Sequence, residues 1–190
     1  LAEYIPRKPH SDLLRAFARV ARPNLHLALA GTGKGESVTQ HLAKSLGLER
    51  RVHFLGVRRD VPSLIRASTA TILPSAQEGL SCSVMESLSL GIPVIGSDIR
   101  GIRDLVGPDA GILFTVGDIE GLERAIEYIL DHPEEARTMG GRGRERMQEF
   151  DLAHVVDLHE RLYEHALRGQ PQEPVQPYLA PANTGQRSCN

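Results

Sequence analysis

The sequence is poor in the residues that build covalent frameworks and aromatic surfaces. It has two cysteines, Cys82 and Cys189, no tryptophan, and four each of phenylalanine and tyrosine. Two cysteines cannot form a disulfide framework or a four-ligand zinc site, and a reducing, cytoplasmic setting is the expectation. The eight histidines do not gather at ligand spacing, so we expect no metal site. The few aromatic rings offer little on which a base could stack.

An excess of one charge is also missing. The 22 basic and 24 acidic residues leave a formal net charge of −2. Proteins that act mainly on nucleic acid usually carry a basic face, so we expect no nucleic-acid partner. No apolar run approaches the roughly 20 residues of a membrane span, and the first residues do not form a signal peptide. The chain opens with LAEYIP, apolar and without an initiator methionine, and we expect it to be part of a longer protein.

Short apolar runs alternate with amphipathic segments. This rhythm is typical of right-handed βαβ units, and the lack of polar alternation in the runs suits strands buried on both faces. It predicts an α/β fold with a doubly wound, mainly parallel sheet of about six strands. The expected strands are 1–5, 25–30, 51–56, 69–73, 93–96 and 111–114, and the expected helices between them are 11–21, 36–46, 81–91 and 119–130.

Beyond residue 131 the strand signals stop. Helices are predicted at 133–148, which Pro133 begins, and at 152–168, which Asp151 caps. The apolar stripe of the last helix could join two copies of the chain. Residues 169–190 are rich in Gln, Pro, Gly and Asn, and we expect a disordered tail.

A glycine turn follows the first full strand. Gly31, Gly33 and Gly35 surround Lys34, but Ala28 stands where a P-loop needs its first glycine and no Ser or Thr follows the lysine. Glu36 stands where the dinucleotide fingerprint needs its third glycine. The turn either is structural or lines a nucleotide without holding its phosphates.

The segment 73–98 combines two chemical features. The amides of Gly79, Leu80 and Ser81 precede a predicted helix at the carboxyl edge of the sheet, where the helix dipole favours an anion. Glu78 and Glu86 are separated by seven residues, so both can border one pocket and bind sugar or ribose hydroxyls. Each carboxylate alone would be read as a solvated surface charge.

This frame resembles the C-terminal, donor-binding domain of the retaining GT-B-fold glycosyltransferases of group 1, family 4 type. The resemblance covers about residues 1–168. It rests on the Glu78/Glu86 pair, on Pro74 and Ser75 before it, and on motifs at 31–33, 52–56, 91–95, 111–114 and 117–118.

The resemblance implies a role for each matching residue. Lys8 would contact the donor diphosphate, and Lys8 and Glu78 are the catalytic candidates. Glu78 would contact the donor sugar together with the amides of Gly79 to Ser81, and Glu86 would hold the ribose hydroxyls. The remaining donor-binding candidates, which would border the nucleotide and its base, are Gly31, Gly33, Gly56 and Val57.

One position departs from the family pattern. Many members carry Gly-Arg before the lysine, and here the pair is Ala2 and Glu3, so one positive charge is missing. Glu3, Lys8 and His10 resemble a subgroup that makes bacterial surface polysaccharides. Arg100 and Arg103, in a segment expected to be a loop, are the candidates to replace the charge at the phosphates; surface ion pairing is the alternative.

The resemblance implies transfer of a sugar from a UDP- or GDP-linked donor to an acceptor hydroxyl, with retention and without an essential metal or other cofactor. The N-terminal acceptor domain of such enzymes is absent from this sequence, so the isolated chain should have little activity. The full protein is expected in the cytoplasm, with peripheral contact at the inner face of the membrane. Two alternatives stay open, a nucleotide-sugar epimerase of the same fold and a non-catalytic nucleotide-sugar-binding module.

Overall fold

The computed structural model describes residues 3–5 and 7–168 and has five parallel strands among them. They form two sheets, β1 with β2, and β3 with β4 and β5. Parallel strands with helical connections confirm the predicted α/β class. The strands are β1 (Leu27–Ala30), β2 (Val52–Gly56), β3 (Thr71–Leu73), β4 (Val94–Ser97) and β5 (Gly111–Phe114).

The sixth strand expected at residues 1–5 is not seen in the described part of that segment. The backbone of Tyr4 bonds to a loop instead: its N–H donates to the Thr32 carbonyl, and its carbonyl accepts from the N–H of Gly35. These partners lie beyond the carboxyl end of β1. The tail expected at 169–190 lies outside the described residues.

Helices connect the strands and continue beyond the last one. Pro133 begins α7, and the Asp151 carboxylate caps α8 by accepting from the N–H of Ala153, as predicted. The helices are α1 (His10–Arg19), α2 (Glu36–Ser45), α3 (Val61–Arg66), α4 (Cys82–Ser89), α5 (Arg100–Val106), α6 (Ile119–Asp131), α7 (Pro133–Arg146) and α8 (Leu152–Leu167), with a 3-10 turn at Met147–Phe150. Helix α3 was not among the predicted helices, and the prediction of a loop at 98–104 is wrong, because α5 begins at Arg100.

The chain divides into two compact units. Residues 1–148 form the first, which holds all five strands, and residues 149–190 form the second, whose described part is mainly α8. The core of the first unit packs α1 and α6 against strand residues such as Leu29 and Ile95. No helix in the described part of the chain is long and apolar enough to cross a membrane.

An apolar cavity of about 480 Å³ is lined by both β1 and β3. All residues of both strands contribute to the lining, together with side chains such as Phe17 and Ile126. Among the residues that the structure describes, Lys8 is the only Lys, Arg, Asp or Glu in the lining. Because the lining is mostly apolar, an anionic ligand fits the polar loops beyond the strand ends better than this cavity.

Candidate functional site

Two loops meet at the carboxyl ends of the strands, and each carries one charged side chain of the site. The segment before α1 carries Lys8, and the loop after β3 carries Glu78. The N–H of Ala76 donates to the carbonyl of Arg7 at 2.8 Å, which joins the two backbones. Lys8 Nζ then lies 3.2 Å from Glu78 Oε1, with the side chains 20% and 15% exposed. The structure therefore brings together the two residues that the sequence analysis named as catalytic.

Buried rings anchor the segment that carries Lys8. The ring of Tyr4 stacks on that of His10, with centroids 4.5 Å apart, and on Phe54 at 6.3 Å. Burial raises the pKa of Tyr4 to about 12 and lowers the pKa of His10, because both charged forms lose hydration. In the sequence, Lys8 lies between Tyr4 and His10, which are both buried, and this constrains the backbone that carries Lys8.

The serine that follows Pro74 also contacts Glu78. Ser75 is fully buried, and its hydroxyl donates to Glu78 Oε1 at 2.8 Å. The same carboxylate oxygen therefore accepts from Ser75 and pairs with Lys8. From the sequence, Ser75 was identified only as part of a motif, and no role was predicted for it.

The N-terminus of α4 follows this pair directly. Its N-cap residue Ser81 is buried and extended, and no side chain caps the helix by a hydrogen bond within the described structure. The first N–H groups of a helix lack intrahelical partners, and the dipole makes them attractive to an anion. Gly79 and Leu80 are exposed beside them. This geometry suits a phosphate or a developing negative charge next to Lys8.

The loop that carries Glu78 rests on α5. A Cβ added at Gly101 would overlap the backbone oxygen of Gly79 and would lie 2.5 Å from that of Glu78. Only glycine permits this close approach, so the position of the loop depends on its packing against the first turn of α5. Ile102, Leu105 and Val106 are buried and hold α5 in place.

The two arginines of α5 differ in their partners. Arg103 donates to the Asp98 carboxylate and to the Asp98 carbonyl, and the hydrogen bond to the carboxylate raises the pKa of Arg103. Arg100 Nε lies 3.6 Å from Asp104 Oδ2, and its side chain is 94% exposed. Arg100 is the freer of the two cations for a phosphate.

The candidates on the nucleotide side lie on neighbouring turns. The N–H of Gly31 donates to the carbonyl of Gly56 at 2.8 Å, which joins the turn after β1 to the last residue of β2. Val57 follows and is 75% exposed. A Cβ at Gly33 would lie 2.7 Å from Tyr4 N, so this glycine packs against the segment that leads to Lys8.

Glu86 lies on α4 and is exposed. Its side chain has no hydrogen bond or ion pair in the described part of the chain. A carboxylate in this state is available to accept from ligand hydroxyls. Within the same residues, no group of three or more His, Cys, Asp or Glu side chains could hold a metal ion.

Comparison with known families gives a match across most of the chain. The family model described as glycosyl transferases group 1 matches residues 1–146. The chain is 34% identical over 161 residues to N-acetyl-alpha-D-glucosaminyl L-malate synthase of Bacillus anthracis, covering 83% of this chain and 42% of that protein. It is 30% identical over 169 residues to MMP alpha-(1->4)-mannosyltransferase of Mycolicibacterium hassiacum, covering 86% of this chain and 41% of that protein.

A solved structure has the same fold. HepE of Anabaena in complex with UDP-glucose superposes with a TM-score of 0.77 at 27% identity, covering 90% of this chain and 48% of HepE. The chain therefore spans less than half the length of the relatives it matches.

Proposed function

The chain belongs to the group 1 glycosyltransferases, which have the GT-B fold, and we propose that it is the donor-binding half of such an enzyme. It binds a nucleotide-diphosphate sugar, and the full protein moves the sugar to an acceptor hydroxyl with retention. The observation that carries this proposal is the Lys8–Glu78 pair beside the uncapped N-terminus of α4. The complex of HepE with UDP-glucose supports a nucleotide-sugar ligand.

The site places its positive groups at the diphosphate of such a donor and its carboxylates at the sugar and the ribose. Lys8 and the first N–H groups of α4 stabilise the negative charge that develops on the departing diphosphate. Glu78 and the amides of Gly79 to Ser81 orient the sugar, while Glu86 accepts from the ribose hydroxyls. Since Lys8 and α4 supply the positive potential, no divalent cation is essential in the proposed reaction.

Further expectations concern the whole protein. It completes the acceptor site with an N-terminal domain, acts in surface polysaccharide or glycoconjugate assembly, and works in the cytoplasm at the inner face of the membrane. An apolar stripe on α8 offers a surface for a second copy or for peripheral membrane contact. Its exposed members are Leu152, Val156, Leu158, Leu162, Tyr163 and Leu167.

Calorimetric titration with UDP, GDP and their sugar conjugates tests the donor site. We expect one nucleotide to bind selectively, and Lys8→Ala and Glu86→Ala each to weaken it by roughly tenfold. Lys44→Ala is the matched control, because Lys44 is exposed on the last turn of α2, away from the predicted donor contacts. The proposal fails if the folded protein binds none of these nucleotides.

A further inference from the structure

The two oxygens of the Glu78 carboxylate differ in their partners in this structure. Oε1 accepts from the Ser75 hydroxyl at 2.8 Å and lies 3.2 Å from Lys8 Nζ. Oε2 has no hydrogen-bond or ion-pair partner among residues 3–5 and 7–168. One oxygen is thus fully engaged, and the other keeps its capacity to accept from a ligand.

An ion pair alone would not produce this division. A lysine ammonium is a point charge with three rotatable donors, and it can pair with either carboxylate oxygen or with both. The Ser75 hydroxyl is different, because Ser75 lies only two residues after the end of β3 and has no exposed surface. A buried hydroxyl needs a partner, and here that partner is Glu78 Oε1.

We propose that Ser75 is a positioning residue: its hydroxyl holds the Glu78 carboxylate so that Oε1 pairs with Lys8 while Oε2 stays free for the donor sugar hydroxyls. This inference rests on the proposed function, in which Glu78 contacts the sugar and not the nucleotide. Without the Ser75 hydroxyl, the carboxylate can rotate and offer both oxygens to Lys8. The sugar then loses an oriented acceptor, while Lys8 stays paired with Glu78 beside the diphosphate and Glu86 keeps its contacts with the ribose.

The test is the preference of the protein for a nucleotide sugar over the free nucleoside diphosphate. Calorimetry gives this preference as the Kd of the free diphosphate divided by the Kd of the nucleotide sugar. Ser75→Ala should lower this ratio by roughly tenfold while the Kd of the free diphosphate changes little. Ser75→Thr keeps the hydroxyl and should restore the preference. If Ser75→Ala does not fold, Ser75→Cys serves instead, because a thiol is only a weak donor.

Ser87→Ala is the matched control. Ser87 is also fully buried, and its hydroxyl donates to the carbonyl of Ile92 and accepts from Thr71. This variant loses both of these buried hydrogen bonds and should keep the sugar preference. An equal loss of preference in Ser87→Ala would overturn the inference, because any buried hydroxyl would then have the same effect.

A double variant shows whether Ser75 acts through Glu78. If it does, adding Ser75→Ala to Glu78→Ala should not lower the ratio further. If the wild-type protein binds no nucleotide, the proposed function fails and the inference fails with it. If Glu78→Ala abolishes the preference but Ser75→Ala leaves it intact, the proposed function stands and only the positioning role is overturned.

Discussion

Lys8 Nζ and Glu78 Oε1 lie 3.2 Å apart, although one residue precedes α1 and the other follows β3. Both side chains are largely removed from water. Removing one partner of such a pair leaves the other charge without compensation in a poorly hydrated place. The pair therefore couples the stability of two loops to the chemistry that we propose for them.

The coupling can be measured by a double-mutant cycle. Lys8→Met and Glu78→Gln should each destabilise the protein to urea by about 1 kcal/mol, and the double variant by less than the sum. In the full-length enzyme, Lys8→Met should also lower the rate of sugar transfer by about 10²- to 10³-fold, because one stabilising charge is lost. Additive destabilisation in the cycle would show that the two side chains do not interact.

Gly101 should not tolerate a side chain. Gly101→Ala forces the Glu78–Gly79 backbone away from α5, so we expect a loss of roughly 1–3 kcal/mol in the free energy of unfolding and weaker binding of nucleotide sugars. The matched control is Gly141→Ala in α7, where an added Cβ meets nothing within 4 Å. That variant should gain about 0.5–1 kcal/mol from helix propensity. Equal effects in the two variants would contradict the close packing at Gly101.

The two arginines of α5 should differ in their effect on the diphosphate. Arg100→Ala should weaken nucleotide binding a few-fold at low salt and less at high salt, because an exposed charge is screened. Arg103→Ala should have a smaller effect, since Asp98 already occupies its guanidinium. Titrations at two ionic strengths check this. If neither variant changes donor affinity, another group supplies the charge missing at Glu3.

Stability should depend on pH through His10. Its pKa lies below the ordinary 6.5, mainly because burial disfavours the imidazolium. The unfolded chain therefore binds the proton first, and the free energy of unfolding falls as the pH drops from 6.5 towards the folded pKa. His10→Phe keeps a ring against Tyr4 and removes the titration. Urea unfolding of both proteins between neutral pH and about pH 5 should show a steeper loss in the wild type; parallel curves would be the contrary result.

The sequence predicted those strands and helices whose hydrophobic pattern extends over enough residues to be recognised. The five strands and helices such as α6 and α7 lie within a few residues of the predicted positions. The six-residue α3 is too short for a periodic signal. In α5, Gly101 lowers helix propensity, and burial of Ile102 and Leu105 supplies the stability that the local sequence lacks.

The candidate site was predictable to a similar extent. The resemblance assigned Lys8 and Glu78 to one donor site, but it did not predict that the two side chains form an ion pair. The role of Ser75 could not be predicted in this way, because nothing in the spacing of residues 75 and 78 shows that the hydroxyl reaches the oxygen that Lys8 also contacts. Likewise, the contact of Gly101 with the loop depends on how α5 packs.

We expect the cavity between β1 and β3 to influence how this 190-residue chain behaves at high concentration. In the described part of the chain, β1 pairs only with β2 and β3 only with β4, so each strand has an open edge, and both line the same apolar space. Open strand edges are templates on which other polypeptides can pair and aggregate. Ala28, an exposed residue in the middle of β1, is a suitable place for a lysine that would oppose such pairing.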